Sequence, residues 1–347
     1  MTVIKAWKRS GCWARMGLIA LSLLVVSLIV VGSWVGQLLT PNARVTDYSD
    51  YWVNASTPLT PGQVSVTFFG VSTLLLDDGE TQLLVDAFFT RPAVGRYLFG
   101  GISSDRQLVE QFVSDYAMDR LKAVFVTHSH VDHAIDVGTI GALTGATIVG
   151  TQSTLNIARG AALPETQLLL PELGNAIEVG DFTVQVIESA HSVPPGGTAP
   201  EQPEQIVQPL QQPTTNAAFA EGGTIDLVIT HGDRTMVIKG SANYIEEALD
   251  GIDADVLFLG VTMLGGQARS FQTEFLAETI GATTPEIVVP LHWDDFFKPW
   301  ELDRARFNPR VIDPHPAEGI DLVLEHTQAN DITFALLQAG SRIVIAP

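Results

Sequence analysis

A single cysteine, Cys12, stands in a chain of 347 residues. No internal disulfide is available, and a zinc site built on several thiolates is excluded. Cations are scarce too, with 19 Lys and Arg against 39 Asp and Glu. Four of them, Lys5, Lys8, Arg9 and Arg15, fall in the first 40 residues with no acid among them, which leaves a net −24 on the remainder. Phosphate-backbone binding needs clustered Lys and Arg, so no nucleic-acid partner is expected for that remainder. Collagen-like and low-complexity bulk is absent, and an apolar content of 46% excludes a disordered chain. The length suits one large domain or two ordinary ones.

Charge is missing altogether from Gly17 to Leu39, GLIALSLLVVSLIVVGSWVGQLL, 23 residues. A helix of that length reaches roughly 35 Å, enough to cross a bilayer. Trp13 and Trp34 lie towards its ends, where indoles favour the interface. Four cations before the run, against Arg44 alone just after it, predict a cytoplasmic N-terminus and an acidic domain outside the cytoplasmic membrane. The expected organisation is a short cytoplasmic basic segment (1–16), a single-pass signal-anchor helix in the cell membrane (17–39), a polar linker with Pro41, Pro58 and Pro61 (40–62), and a folded domain (63–347). A cleaved signal peptide competes, but its apolar run is only about 7–15 residues, and Gly32, Ser33 and Gly36 make a poor cleavage pattern.

Within the domain, Val64–Phe69, Thr73–Leu76 and Gln82–Val85 read as strands, the last two joined by the turn Asp77-Asp78-Gly79. Ser104 with Gln107 reads as a capping box ahead of a helix carrying Leu108, Phe112, Val113 and Tyr116. Ala123–Val126 suits a strand buried on both faces, followed by a helix from about 134, a strand at Thr147–Val149 and a helix near Thr154–Ala161. Phe182–Ile187 alternates as a strand, and Ile225–Thr230 with Thr235–Lys239 forms a hairpin around Gly232-Asp233. Tyr244–Leu249, Val256–Leu259, Phe271–Ile280 and Ile287–Pro290 continue as helix, strand, helix, strand, and Ile332–Leu337 and Arg342–Ile345 close the chain. Hairpins and β-α alternation in both halves predict an α/β layered fold with two packed sheets. Between Ser192 and Phe219 lie six prolines, five glutamines and no Lys or Arg. That loop (192–219) is either a surface insertion or a flap over a site.

The chemistry concentrates in Thr127-His128-Ser129-His130-Val131-Asp132-His133. In extended chain His128 and His130 point to one side, and a turn is needed to bring Asp132 and His133 round to it. Imidazole with carboxylate suits zinc and leaves several other metals open. Independent placement gives the pattern in roughly 5 chains of this composition in 10,000, so solvated loop histidines are a poor explanation.

This THSHVDH stretch resembles the HxHxDH signature of the metallo-β-lactamase superfamily, and the resemblance runs from about Val64 to the C-terminus. It implies a four-layer αββα sandwich, here preceded by one transmembrane helix, with metals at one edge. Leu84-Val85-Asp86 is similar to the strand end whose acid supports the metal site from behind. Ser189-Ala190-His191-Ser192 resembles the segment with the third histidine of the first metal, and Val289-Pro290-Leu291-His292-Trp293 the late strand completing the second. The look is closest to the branch of ascorbate-phosphate lactonases and phospholipase-D-type acylethanolamine hydrolases. The resemblance therefore implies His128, His130 and His191 on one zinc and Asp132, His133 and His292 on another, with Asp132 also orienting the attacking water and Asp86 fixing a ligand imidazole. Zinc lowers the pKa of its water to about 7, which makes hydroxide available near neutral pH.

Two departures stand out. Ser241, in Gly240-Ser241-Ala242-Asn243, occupies the place of the aspartate that bridges both metals, and a hydroxyl is a far poorer ligand than a carboxylate. A weakened second metal is expected. Val71 stands where the branch often has a histidine. Gly232-Asp233 and Gly180-Asp181 are ordinary turn chemistry. His231 is expected exposed at its hairpin, His315 and His326 are read as surface residues, and Trp293, Phe296, Phe297 and Trp300 wall an apolar pocket or pack in the core.

The expected function is a membrane-anchored metal-dependent hydrolase acting through metal-bound hydroxide on a lactone, ester or amide. Few Arg or Lys stand near the motif to hold an anion. A lipid phosphodiesterase of the same fold, and a metal-binding module without turnover, motivated by Ser241, are the alternatives. The partners are then a small-molecule or lipid substrate and the membrane, with no signal for an oligomeric state. A nuclease conflicts with the −24 balance, and di-iron oxygen-reducing relatives would need an acid at His130.

Overall fold

The computed structural model describes residues 2–198, 200, 202–299 and 305–346, with side chains from Met16 onward. Trp300 and the side chains of Cys12 and Trp13 lie outside the described set. The chain begins with helix α1 (Thr2–Leu38), whose stretch Met16–Leu38 is long and apolar enough to cross a membrane and is not buried. Then come strands β1 (Val64–Phe68), β2 (Leu74–Asp77) and β3 (Gln82–Val85), α2 (Val94–Phe99), α3 (Arg106–Asp115), β4 (Leu121–Phe125), α4 (Val131–Ala134), α5 (Val137–Thr144), β5 (Thr147–Val149), α6 (Gln152–Gly160) and β6 (Leu168–Leu169). The second half holds β7 (Ala176–Val179), β8 (Phe182–Ser189), β9 (Thr224–His231), β10 (Arg234–Lys239), β11 (Val256–Gly260), α7 (Arg269–Leu276), β12 (Ile287–Leu291), α8 (Pro316–Ala329), β13 (Thr333–Phe334) and β14 (Arg342–Ile345).

Two seven-stranded sheets result, ordered β14-β1-β2-β3-β4-β5-β6 and β13-β12-β11-β10-β9-β8-β7. The first sheet separates two cores because alternate side chains leave opposite faces. On β3, Leu83 and Val85 enter the core between the sheets, while Leu84 faces the helical layer. On β4, Ala123 and Phe125 point inward and Val124 outward. Both faces are covered, so these strands read as unbroken apolar runs. Helices α3, α5 and α6 cover the first sheet, and α8 packs on β12 and β13 of the second, giving the αββα sandwich.

Strand direction decides where the site lies. β3, β4 and β5 are mutually parallel, as are β10, β11 and β12, and β8 runs parallel to β10 through their shared antiparallel neighbour β9. Asp86, Thr127–His133, His191, Ser241 and His292 therefore all leave from C-terminal strand ends.

Several expectations need correction. The N-cap of α3 is Asp105, which accepts from the amides of Gln107 and Leu108, whereas the Ser104 hydroxyl donates to Asp136. Residues 244–249 form turns rather than a helix. Asn243 accepts from the Tyr244 amide, and Glu247, at φ 62°, turns its amide to Glu278, so no i→i−4 ladder starts. The stretch 40–62 is tied down along much of its length: Val45 and Tyr48 are buried in the core between the sheets, and Val53 and Ala55 donate to the carbonyls of Leu336 and Arg342. His231 is buried at the end of β9, 3.2 Å from the Asp78 carboxylate, not exposed. There the two sheets are clasped at the edge away from the strand ends above. Gly180, at φ 61°, abuts Thr81 so closely that a Cβ would lie 2.2 Å from its hydroxyl.

Candidate metal centre

Three segments deliver the motif residues. β4 runs into Thr127, and α4 follows at once, capped by His130, whose carbonyl accepts from the amides of His133 and Ala134. This single tight turn brings Asp132 and His133 to the side already faced by His128 and His130. Thr127 is held by Asp86, which accepts from its amide at 2.7 Å. Asp86 has φ 53°, Val71 φ 55° and His292 φ 61°, a left-handed conformation that side chains rarely adopt. Val71 and His292 hold each other there, since the His292 amide donates to the Val71 carbonyl at 2.6 Å. The Val71 amide in turn donates to Asp294, which pairs with buried Arg91 at 2.9 Å.

At this edge two groups of three donors form; a third, Asp78, Asp181 and His231, lies at the opposite edge. In His128, His130 and His191 one donor atom from each lies within 4.8 Å of the others, and so too in Asp132, His133 and His292. His130 Nδ1 stands 3.1 Å from His191 Nε2. The Asp132 carboxylate is 3.2 Å from His292 Nε2 and 3.7 Å from His133 Nε2. His133 Nδ1 meets Asp86 at 2.8 Å, which turns its Nε2 towards Asp132 and His292. His292 Nδ1 meets the Thr262 hydroxyl at 2.7 Å. Asn243 donates to the His191 carbonyl at 2.7 Å. His128 Nε2 is buried with no hydrogen-bond partner among the described residues, although its ring packs 3.8 Å from that of His133 and 4.7 Å from that of His191. A buried nitrogen left open in such company fits a cation better than any protein partner.

Electrostatics agree with that fit. Burial and the neighbouring His130 and His133 push the His191 imidazole down to about 3, and burial with the His133 and His191 imidazoles holds His128 well below the ordinary histidine range. Burial lowers His130 as well. Burial opposes charge on His133, yet Asp86 and Asp132 outweigh it and raise its value. Burial would also raise Asp132, but His133 and His292 outweigh it and keep the carboxylate ionised. The first trio is thus neutral with free lone pairs, the state a cation requires.

The trio fixes the sign of a pH effect. Below about 6.5 the imidazoles of an unfolded chain take up protons, whereas folded His191 resists until about 3. The unfolded state then binds more protons, so metal-free stability falls as the pH drops from about 6.5 towards 3. His133, with its raised value, opposes part of the fall. Urea midpoints of metal-free protein at about pH 7 and about pH 5 are expected to differ, and His191→Gln should narrow the difference. An equal drop in both proteins would remove buried His191 as its cause.

A cavity of about 570 Å³ opens over His130, Asp132, His191 and His292, lined also by Tyr97, Phe296 and Ile312 among others, with no Lys or Arg among its described lining. The 192–219 loop supplies part of the wall through Val193, Pro194 and Phe219, and is fastened to α6 where the Ile206 amide donates to Ser153 and Asn156 donates to the Ile206 carbonyl. Trp293 instead packs in the core against Phe68 and Phe307. Ser241 is buried at the end of β10, and each group of three is built without it; its neighbour Gly240 lies so near Thr127 that a Cβ would meet its hydroxyl at 2.8 Å. His315 and His326 join neither group; His315 pairs with Glu318. Ser72, whose hydroxyl donates to Asp86 and lies 2.9 Å from His133 Nδ1, together with Thr262, Tyr97 and the Arg91–Asp294 pair, carries no sequence pattern that marks it for the site. At the same edge the Val311 amide donates to the Leu38 carbonyl at 3.0 Å and Asn42 donates to the Pro314 carbonyl, so α1 meets the domain beside Ile312.

A model of the beta-lactamase superfamily domain matches residues 81–293. The chain is 26% identical over 239 residues to a UPF0173 metal-dependent hydrolase of Pyrobaculum islandicum, covering 67% of this chain and 85% of that one. It is 25% identical over 275 residues to the UPF0173 metal-dependent hydrolase OE_2513F of Halobacterium salinarum, covering 79% and 100%. Among solved structures, the metallo hydrolase Igni18 of Ignicoccus hospitalis gives a TM-score of 0.52 at 16% identity, covering 82% and 99%. The metallo-beta-lactamase fold protein YhfI of Bacillus subtilis gives 0.50 at 15%, covering 82% and 100%. With the sandwich and its edge of imidazoles described, and with the family matched over more than half its length, this chain belongs to the metallo-β-lactamase superfamily and is a metal-dependent hydrolase.

Proposed function

We propose that His128, His130 and His191 hold one divalent cation, zinc by their chemistry, that Asp132, His133 and His292 hold a second more weakly, and that the chain hydrolyses an uncharged lactone, ester or amide. The observation that carries this is the buried, partnerless Nε2 of His128 amid neutral imidazoles. When bound, the cations supply an acidified water and polarise the scissile carbonyl. Asp86 accepts the Nδ1 proton of His133, which fixes the tautomer and leaves Nε2 free. Asp132, kept ionised by His133 and His292, would orient the attacking water by accepting its hydrogen bond. Tyr97, pushed up to about 12 by burial and by Asp132, keeps its proton and offers a donor to a substrate oxygen. A cavity with no Lys or Arg among its described lining favours an uncharged carbonyl over a phosphodiester. In this reading residues 17–39 anchor the chain in the cell membrane with the N-terminus in the cytoplasm, and the Leu38–Val311 bond supports an anchor lying beside the cavity.

Ser241 favours a second reading, a cation-binding module without turnover. Elemental analysis and turnover of the full chain in lipid nanodiscs on ester, lactone and phosphodiester panels separate the two. The expected result is ester or lactone hydrolysis with less than full second-site occupancy, and a rise in occupancy for Ser241→Asp. Turnover of phosphodiesters alone would replace this reading with a lipid phosphodiesterase. An inert wild type beside an active Ser241→Asp would favour the module.

A further inference from the structure

The cavity over His130, Asp132, His191 and His292 continues past His191. A second trough of about 460 Å³ shares His191, Val193, Pro200 and Glu221 with it. Its far wall is the chain after β6, where Leu170 and Leu173 are each 54% exposed and Pro171 lies between them; Ile225 and Pro203 also line it. Among its described lining the acids are Glu188 and Glu221, and there is no Lys or Arg. Two half-exposed leucines in one concave, mostly apolar wall leave surface that a ligand can cover.

We propose that this trough binds the unbranched apolar tail of the substrate whose carbonyl reacts at the metal centre. One molecule must then span both spaces, and the shared residues allow it: His191 belongs to the candidate centre and to the mouth of the trough, with Val193 and Pro200 alongside. A charged or strongly polar tail would lose its hydration against Leu170, Leu173 and Ile225 without regaining partners, whereas methylenes gain by leaving water. The substrate class is thereby narrowed to amphiphiles with a neutral reacting head and an acyl or alkyl chain. The inference rests on the proposed hydrolysis for its reacting head, but the affinity of the trough for a chain does not.

The test takes the metal-loaded full chain in nanodiscs, with protein-free nanodiscs subtracted, and 4-nitrophenyl esters from acetate to decanoate. The expected kcat/KM rises by about three- to fourfold per added methylene over the first several. In Leu170→Asp/Leu173→Asp the decanoate-to-acetate ratio falls at least about tenfold, while Leu98→Ser, an exposed residue outside the trough, keeps the wild-type ratio. Binding of a dansyl amide with a dodecyl tail is measured in parallel and needs no turnover. Probe binding by the wild type and its loss in the double variant, with no ester cleaved, would sink the reaction class and leave the trough standing. Ester cleavage indifferent to chain length, with equal probe binding by both proteins, would overturn the trough and leave the reaction class standing.

Discussion

Replacing His128 with alanine is expected to abolish hydrolysis and to remove one equivalent of metal. Its Nε2 is the one site nitrogen that is buried and lacks any partner among the described residues, and its ring lies at the junction of both groups, 3.8 Å from His133 and 4.7 Å from His191. Loss of a partner that merely orients a ligand costs about 10–100-fold in affinity or activity. Loss of the ligand itself should exceed that, because both the acidified water and the polarised carbonyl go with the cation. The fold should survive, since the imidazole makes no hydrogen bond on which a strand depends. Metal content by elemental analysis, kcat/KM and the unfolding midpoint check the three parts separately. A variant that keeps its metal and its turnover would end the assignment of these residues as ligands.

The second large effect concerns stability. Lys239 on β10 and Asp226 on β9 form an ion pair at 2.7 Å with both side chains 2% exposed, and Lys239 also donates to the Ser189 hydroxyl at 2.8 Å. The second carboxylate oxygen of Asp226 has no partner among the described residues. Asp226→Ala leaves an ammonium stranded in the core and should cost about 3–5 kcal/mol, a large share of ordinary domain stability. Converting both residues to apolar ones of similar size, Lys239→Met with Asp226→Leu, should recover most of that loss, because desolvation offsets much of the attraction between buried charges. Urea unfolding of the three proteins measures it. A single variant losing under about 1 kcal/mol would mean that water reaches the pair. Ser189 leads within two residues to His191, so the wounded single variant should also bind metal less well.

The sandwich and the donors were open to reading, for different reasons. Strands buried on both faces announce themselves as short β-branched and aromatic runs, as at Ala123–Val126, and the closely spaced imidazoles of the motif are improbable by chance. Convergence of His191 and His292 with that motif is a matter of strand direction, which local pattern does not encode and only the family resemblance implies. The failures share a cause as well. Tyr244–Leu249 has helical spacing, but Asn243 and Glu278 compete for its amides from outside the segment. Ser104 resembles a cap, yet Asp136, 32 residues on, takes its hydroxyl. His231 looks like a turn residue until the hairpin of the other sheet closes over it. In each case a partner remote in sequence decided the outcome. The helix α8 gives only a weak periodic signal in its sequence.

The left-handed backbone at Val71, Asp86 and His292 has a further consequence. Each such residue costs of order 1–3 kcal/mol, and here Val71 and Asp86 flank the donors and His292 is one of them. Core packing and the Asp294 and Thr127 bonds meet that cost as the chain folds. The cup is therefore shaped before anything enters it, and an arriving ion need not reorganise the protein. Uptake should then be quick, limited by the arrival of the ion rather than by refolding of the cup.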